Sequence, residues 1–154
     1  MANRRDQIRM SQAEMWDFIR EQKSLQVATL NRDGSPHLTT LWFAVVEGEI
    51  VFETFAKSQK LVNLERDPRI AVLLEDGSAY EELRGVSIAG RAELHRDPGL
   101  LRRFAAEIIR RNRPEVPEAA LEQAAAGMAA KRAAVVVKSE KIMSWDHRKL
   151  GGVY

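Results

Sequence analysis

The sequence predicts an α+β fold, a mainly antiparallel sheet with peripheral helices, and three observations carry that expectation. Apolar and polar residues nearly alternate over residues 50–55, with Phe52 and Phe55 aromatic, which is the period of a half-buried strand. Turn-forming stretches such as Asn31-Arg32-Asp33-Gly34-Ser35, Glu47-Gly48 and Glu75-Asp76-Gly77-Ser78 punctuate the strand-like runs, as hairpins require. Apolar spacing of three and four, the helical period, marks Met15, Phe18 and Ile19 and again Leu100, Leu101, Phe104 and Ile108.

The 154 residues fit one domain, 1–154, which at this size buries about 70% of its unfolded surface and needs no covalent staple. There is no cysteine, which excludes a disulfide framework and a thiolate metal site. Lys and Arg number 24 against 22 Asp and Glu, too near balance to argue for a nucleic-acid partner. Residues 1–10 lack the apolar segment of a leader, and no apolar run approaches the roughly 20 residues of a membrane span. The expected location is cytoplasmic, with no membrane partner.

In chain order, Ser11-Gln12-Ala13-Glu14 is a capping box: the Ser11 hydroxyl accepts from the Glu14 amide and Glu14 reaches back. Met15, Phe18 and Ile19 give the helix that follows, to about residue 22, one apolar face, expected to close one end of the sheet as a lid. Residues 25–31 are the first strand, and Pro36 after the next turn fits only a strand beginning or edge. Residues 38–46 are long and mostly apolar, which predicts a central strand covered on both sides. The Thr39 and Thr40 hydroxyls within it need partners, which a neighbouring strand's backbone or the polar edge of a bound ring would supply. Trp42, a large ring with one N–H donor, suits either the core or the face of a planar ligand.

The helix over residues 61–66 ends at Asp67-Pro68, because a residue before proline is pushed out of helical backbone. Residues 69–74 and 86–94 read as strands, Gly90 marking a bulge or a close backbone approach. Asp97-Pro98 supplies an N-cap and a first-turn proline for a helix to residue 112, with Leu100, Leu101, Phe104 and Ile108 along its apolar stripe. Arg102, Arg103, Arg110, Arg111 and Arg113 make it basic; with Glu107 and Glu115 interspersed, the pattern is that of a solvated face more than of a polyphosphate or RNA surface. Pro114 and Pro117 break it, an Ala-, Glu- and Gln-rich helix over 118–131 follows, and a strand over 133–143 is centred on Val135-Val136-Val137.

The chemistry gathers where the strand over 50–55 meets the next helix. Thr54, Lys57, Ser58 and Lys60 cluster there, and a helix N-terminus offers unpaired N–H groups and a partial positive charge, so these hydroxyls and ammoniums suit an anion such as phosphate. The same residues also fit an ordinary solvated first turn. His37, His95 and His147 lie in separate elements without ligand spacing, so no metal site is expected, and His37 reads as a strand-edge residue. No Gly-x-Ser-x-Gly elbow, Walker A loop or Gly-x-Gly-x-x-Gly fingerprint is present, and Ser58 lacks a neighbouring base. No catalytic residue is assigned.

Taken together, Val27-Ala28-Thr29-Leu30, Asp33-Gly34-Ser35-Pro36-His37-Leu38, Leu41-Trp42-Phe43, Ile50-Val51-Phe52-Glu53-Thr54, Ser58-Gln59-Lys60 and residues 63–69 resemble the split-barrel flavin and deazaflavin oxidoreductases related to pyridoxamine 5'-phosphate oxidase. The likeness covers about residues 25–95 well and the C-terminal strand more weakly. It implies a split β-barrel with a helical insertion over about 97–131, completed by the strand over 86–94 near a dimer interface. It further implies a homodimer with the cofactor between subunits. Thr54, Lys57, Ser58 and Lys60 would take the cofactor phosphate, with Leu38, Thr39, Thr40, Leu41 and Trp42 along the ring.

Two departures separate branches of that family. Basic residues that serve phosphate or flavin in the oxidases are replaced here by Phe43 and Gln59, both uncharged. The pair Trp42-Phe43 and the ending Ser144-Trp145-Asp146-His147-Arg148-Lys149-Leu150 look more like the branch that binds coenzyme F420, so F420 is expected ahead of FMN. In the resembled family the last segment reaches the cofactor groove, often the partner's; by that analogy Trp145 would stack on ring or substrate and Arg148 would hold an anion bidentately. A plain tail anchor fits these residues equally well. The reading is an oxidoreductase that passes hydride from reduced F420 to an unsaturated acceptor, such as a tetrapyrrole like biliverdin. The alternatives are an FMN-dependent oxidase or reductase, and a non-catalytic flavin-binding module. The lack of an acid–base pair fits chemistry that belongs to the cofactor.

Overall fold

The structure, a computed structural model, describes residues 3–152. Its helices are α1 (Arg4–Ile8), α2 (Gln12–Glu21), α3 (Gln59–Arg66), α4 (Pro98–Asn112) and α5 (Glu118–Ala129). Its strands are β1 (Ser24–Leu30), β2 (Pro36–Trp42), β3 (Ala44–Val46), β4 (Glu49–Phe55), β5 (Arg69–Asp76), β6 (Arg84–His95) and β7 (Arg132–Asp146). Single 3-10 turns occupy Tyr80–Glu82 and His147–Leu150. No helix among the described residues is long and apolar enough to cross a membrane.

The seven strands form one sheet in the order β2-β1-β5-β6-β7-β4-β3, antiparallel throughout. Strands β2 and β3 are separated in sequence by Phe43 alone, yet they stand on opposite edges. A flat sheet cannot bring its edges within one residue, so this one curls into a half-barrel, and Phe43, with no exposed surface, fills the join. The expected α+β split barrel with peripheral helices is therefore the observed architecture.

Several local expectations need correcting. Residues 38–46 are not one central strand covered on both faces: they break at Phe43 into two edge strands, and burial along β2 alternates, with Leu38 68% exposed and Trp42 45% exposed. High apolar content signalled burial, but one face of β2 is open in the single chain. Residues 50–55 are not half-buried either, since Val51, Phe52, Glu53 and Thr54 are all buried. Alternate residues of β4 feed two separate cores, because helices α4 and α5 cover the face that the sequence pattern leaves to solvent. Strand β6 does not complete the barrel but lies in the middle of the strand order.

One core fills the concave side: Val27, Phe52, Val72, Ile88 and Val135 meet Phe18 and Ile19 of α2 and Leu61 and Leu64 of α3. The other sits outside the curl, where Val51, Ala134 and Val136 pack against Leu101, Phe104 and Ile108 of α4 and Leu121 and Ala125 of α5. Each such Leu, Ile, Val or Phe contributes about 1.5–3 kcal/mol on burial. The α4–α5 hairpin is thus held by its own apolar stripe.

Local chemistry sets the boundaries. Ser11 and Glu14 form the capping box of α2, and Asp97 caps α4 by accepting from the Leu100 amide at 2.9 Å. The β3–β4 hairpin turns on Glu47 and Gly48, both at positive φ, the backbone that a tight two-residue turn requires. At Gly90 the β6–β7 register shifts, and a Cβ there would lie 2.0 Å from the Lys138 carbonyl oxygen, so the bulge admits only glycine.

Candidate functional site

The N-terminus of α3 is built by a small hydroxyl and ammonium cluster. Ser58 is the N-cap, its Oγ accepting from the Leu61 amide at 3.4 Å and from the Thr54 hydroxyl at 3.0 Å. Lys60 Nζ donates to Thr54 Oγ1 at 3.2 Å. Burial, followed by the charge of nearby Arg132, holds the Lys60 ammonium below its ordinary pKa. A cation kept short of solvent and close to a second cation is disfavoured on both counts, and an anion bound there relieves both effects. Lys57 is exposed and takes no part in these bonds.

The position of α3 is fixed from beneath. Asn63, fully buried, donates from Nδ2 to Thr29 Oγ1 and Asn31 Oδ1, both at 3.0 Å, and accepts from Gln59 Nε2 at 2.9 Å. Arg66 donates to the Leu30 carbonyl. The helix start is therefore tied to the end of β1, which pairs with β2 over its full length.

Along β2 the five expected ring residues fall on two faces, as strand alternation dictates. Leu38, Thr40 and Trp42 are exposed on the convex face, opposite Ala28, Gln26 and Ser24, while Thr39 and Leu41 point inward opposite Val27 and Leu25. The two threonines therefore differ: Thr39 Oγ1 is buried without a partner among the described residues, as is Gln26 Oε1, whereas Thr40 is exposed. An orphaned buried hydroxyl costs about 1–3 kcal/mol until something bonds it. The Gln26 orphan lies on the exposed face with Thr40 and Trp42, and together with the cationic helix start it fits a ligand with a polar-edged ring and a phosphate. The Thr39 orphan lies on the other face.

The C-terminal residues are placed elsewhere. Trp145 packs on Gly85, where its ring stands so close that a Cβ would lie 2.1 Å from it. Arg148 spends its fork on Asp146, with Nε and Nη2 at 2.8 and 2.7 Å, and this pairing holds the Asp146 carboxyl below its usual range. Both lie at the far end of β7 from Arg132, roughly 45 Å along a strand of about 3.3 Å rise per residue. Within one chain the structure gathers Thr54, Ser58 and Lys60, and it does not bring Trp145 or Arg148 to them.

A group that the sequence reading missed is Glu53, only 3% exposed, with neither carboxylate oxygen partnered among the described residues. Burial pushes its pKa up to about 7, with the charge of Arg132 opposing the shift. It lies in the wall of a cavity of about 460 Å³ shared with Trp42, Arg113, Met128 and Arg132. The available signal was a glutamate in the middle of an apolar strand, masked by the assumption that this face met water. The basic helix α4 is mostly as expected, with Arg103, Arg110 and Arg113 paired at the surface to Glu47, Glu107 with Glu118, and Glu115. Arg111 departs from that pattern and is half-buried against α2.

Comparison with known proteins bears on the family and the fold. The family model described as pyridoxamine 5'-phosphate oxidase matches residues 11–146. A conserved hypothetical protein from Mycobacterium tuberculosis is 43% identical, with a TM-score of 0.92 over 99% of this chain and 95% of that one. Two further structures are similar in fold alone. An F420 reductase is 23% identical, with a TM-score of 0.62 over 78% of this chain and 88% of that chain. An FAD-binding protein from Mesorhizobium loti is 16% identical, with a TM-score of 0.66 over 88% and 94%. No curated protein matches the chain. With a family model running from the N-cap of α2 to the end of β7, the chain belongs to the pyridoxamine 5'-phosphate oxidase family.

Proposed function

We propose that the protein is an F420-dependent reductase acting on an unsaturated small molecule, such as a conjugated ring compound or a tetrapyrrole like biliverdin. The observation that carries this reading is the cluster of Thr54, Ser58 and Lys60 at the start of α3, beside the half-exposed strand β2. When bound, the deazaflavin supplies the hydride. The chain's part is placement: Lys60 and the α3 amides take the phosphate-bearing tail, and β2 from Leu38 to Trp42 lies along the ring, where Gln26, opposite Thr40 on the exposed face, gains a partner for its Oε1. Two positions support the deazaflavin over FMN. Phe43 is buried at the sheet join and Gln59 bonds Asn63, so neither offers a charge to a flavin phosphate.

The same reading makes the protein a homodimer. Leu38, Ala28, Ala71 and Ala89 follow one another across the convex face by strand register, and Leu73 and Met143 lie beside them. This apolar strip suits a second copy, which would bring its own Trp145 and Arg148 towards the groove as substrate contacts. The second reading keeps the fold and takes FMN, favoured by the family matched. A non-catalytic flavin carrier is a third outcome.

Titration of the purified protein with F420 and with FMN, followed by absorbance and fluorescence, tests the proposal. F420 is expected to bind at least tenfold more tightly, and reduced F420 to be consumed only once an acceptor is added. Tight FMN binding without F420 binding replaces it with the second reading, and binding without turnover across an acceptor panel replaces it with the carrier.

A further inference from the structure

We propose that the cavity between the α4–α5 hairpin and the sheet is a binding pocket for a flat, conjugated carboxylate, gripped by Arg132 and Arg113 and hydrogen-bonded by Glu53. The cavity holds about 460 Å³, within the range of small-molecule sites. Its walls divide by chemistry. Trp42, Ile109, Ala124 and Met128 supply an apolar slot, with an indole ring for a planar body to lie on. Two guanidiniums face the same space, and a guanidinium fork matches a carboxylate.

Glu53 is the observation that points to a ligand. It is buried, and among the described residues both of its oxygens lack a partner and no ion pair explains its presence beside Val51, Ala134 and Val136. Native proteins rarely leave such a group unbonded unless something else occupies the site. The charged groups facing it are Arg132 on β7 and Arg113 at the end of α4; the parts of β2 and α5 that line the cavity bring none. Because burial raises its pKa to about 7, Glu53 carries a proton through the lower half of the neutral range and donates to an anion. As the pH rises through 7 it becomes a carboxylate and repels the same ligand. Arg113 also pairs with Glu115 at 2.8 Å, so Arg132, stacked on Phe55, is the freer grip.

Trp42 belongs both to this wall and to the strand that the functional proposal lays along the cofactor ring, so an occupant would sit beside that ring as the hydride acceptor. That last identification rests on the functional proposal; the pocket does not.

The test uses the full-length protein without any cofactor, which keeps its failure separate from failure of the F420 reading. 2-Naphthoate, its neutral amide and 2-naphthylmethylamine are titrated by calorimetry at pH 6 and pH 8. Naphthoate is expected to bind at least tenfold more tightly than the amine, and several-fold more tightly at pH 6 than at pH 8. Arg132→Ala is expected to weaken it at least tenfold, and Ala124→Leu, which fills the slot from α5, to weaken it similarly. Glu53→Gln keeps a donor without titrating, so naphthoate binding should persist and lose its pH dependence. No naphthoate binding, equal binding of the amine, or constants unmoved by Arg132→Ala and Ala124→Leu would each overturn the pocket. So would an unchanged pH profile in Glu53→Gln.

Discussion

Trp42 and Ala44 are two residues apart in the chain and stand on opposite edges of the seven-stranded sheet. The residue between them is what the sheet closes upon. Phe43 is fully buried, the Arg111 guanidinium lies 4.3 Å above its ring, and Asn112 Nδ2 donates to its carbonyl at 3.3 Å. Both the end of β2 and the cavity wall depend on this join.

Phe43→Ala is accordingly predicted to cost about 3–5 kcal/mol of folding stability, the range for truncating a buried aromatic. Urea unfolding followed by tryptophan fluorescence measures it. A loss below about 1 kcal/mol would mean that the edges are held together elsewhere.

Arg111→Ala is predicted to destabilise by about 2–4 kcal/mol, although its sequence context is that of a surface charge. Its Nη2 donates to the Ile19 carbonyl at 2.9 Å and to that of Gln22, satisfying the end of α2 from the end of α4. Burial holds the guanidinium pKa below its ordinary value, yet it stays charged at any working pH. Arg111→Lys should recover less than half of the loss, since an ammonium can replace the Nη2 donor but not the planar guanidinium that lies over Phe43. Arg102→Ala, on the exposed face of the same helix, should change stability by no more than about 0.5 kcal/mol.

How much of this was legible before the fold was known varies with the range of the interaction. The capping box at Ser11, the N-cap at Asp97 and the hairpin at Glu47-Gly48 are local events, and neighbouring residues specify them. The Ser58 and Lys60 cluster was readable for the same reason, with Thr54 only four residues away from its cap. The break at Phe43 and the burial of Glu53 were not readable, because each depends on which strand or helix arrives from a distant part of the chain. Helix α5 covers Glu53 from more than sixty positions away in sequence, and no period in residues 50–55 encodes that.

Lys60→Ala is predicted to weaken cofactor binding far more than Arg102→Ala, by at least tenfold against less than twofold. Lys60 is held at the α3 N-terminus by Thr54, next to the helix amides, whereas Arg102 faces solvent. Equilibrium titration with F420 at two salt concentrations is the measurement, and the salt dependence should shrink in Lys60→Ala because one charge contact has gone. Arg111 is unsuitable as the surface control, since its loss perturbs the fold. Equal effects of the two substitutions would return Lys60 to the status of an ordinary first-turn cation.

Glu53 makes a prediction about pH that is independent of any ligand. Its pKa is about 7 in the folded protein against an ordinary value of 4.5, so the native state holds a proton that the unfolded chain releases. Stability from this group is therefore fully present below pH 4.5, falls as the pH rises towards 7 and is flat above that. Each tenfold difference in proton affinity between the folded and unfolded chain is worth about 1.4 kcal/mol, so the full swing is on the order of 3 kcal/mol. Other carboxylates, Asp67 above all, are shifted downward and pull the opposite way at low pH, so the wild-type curve alone does not isolate the effect. The difference between wild type and Glu53→Gln does. Urea unfolding at intervals from pH 5 to pH 8 should show the variant gaining on the wild type by about 2–3 kcal/mol across that window. A constant difference would mean that Glu53 is already ionised in the folded protein at pH 5, with a water or a side-chain rearrangement satisfying it.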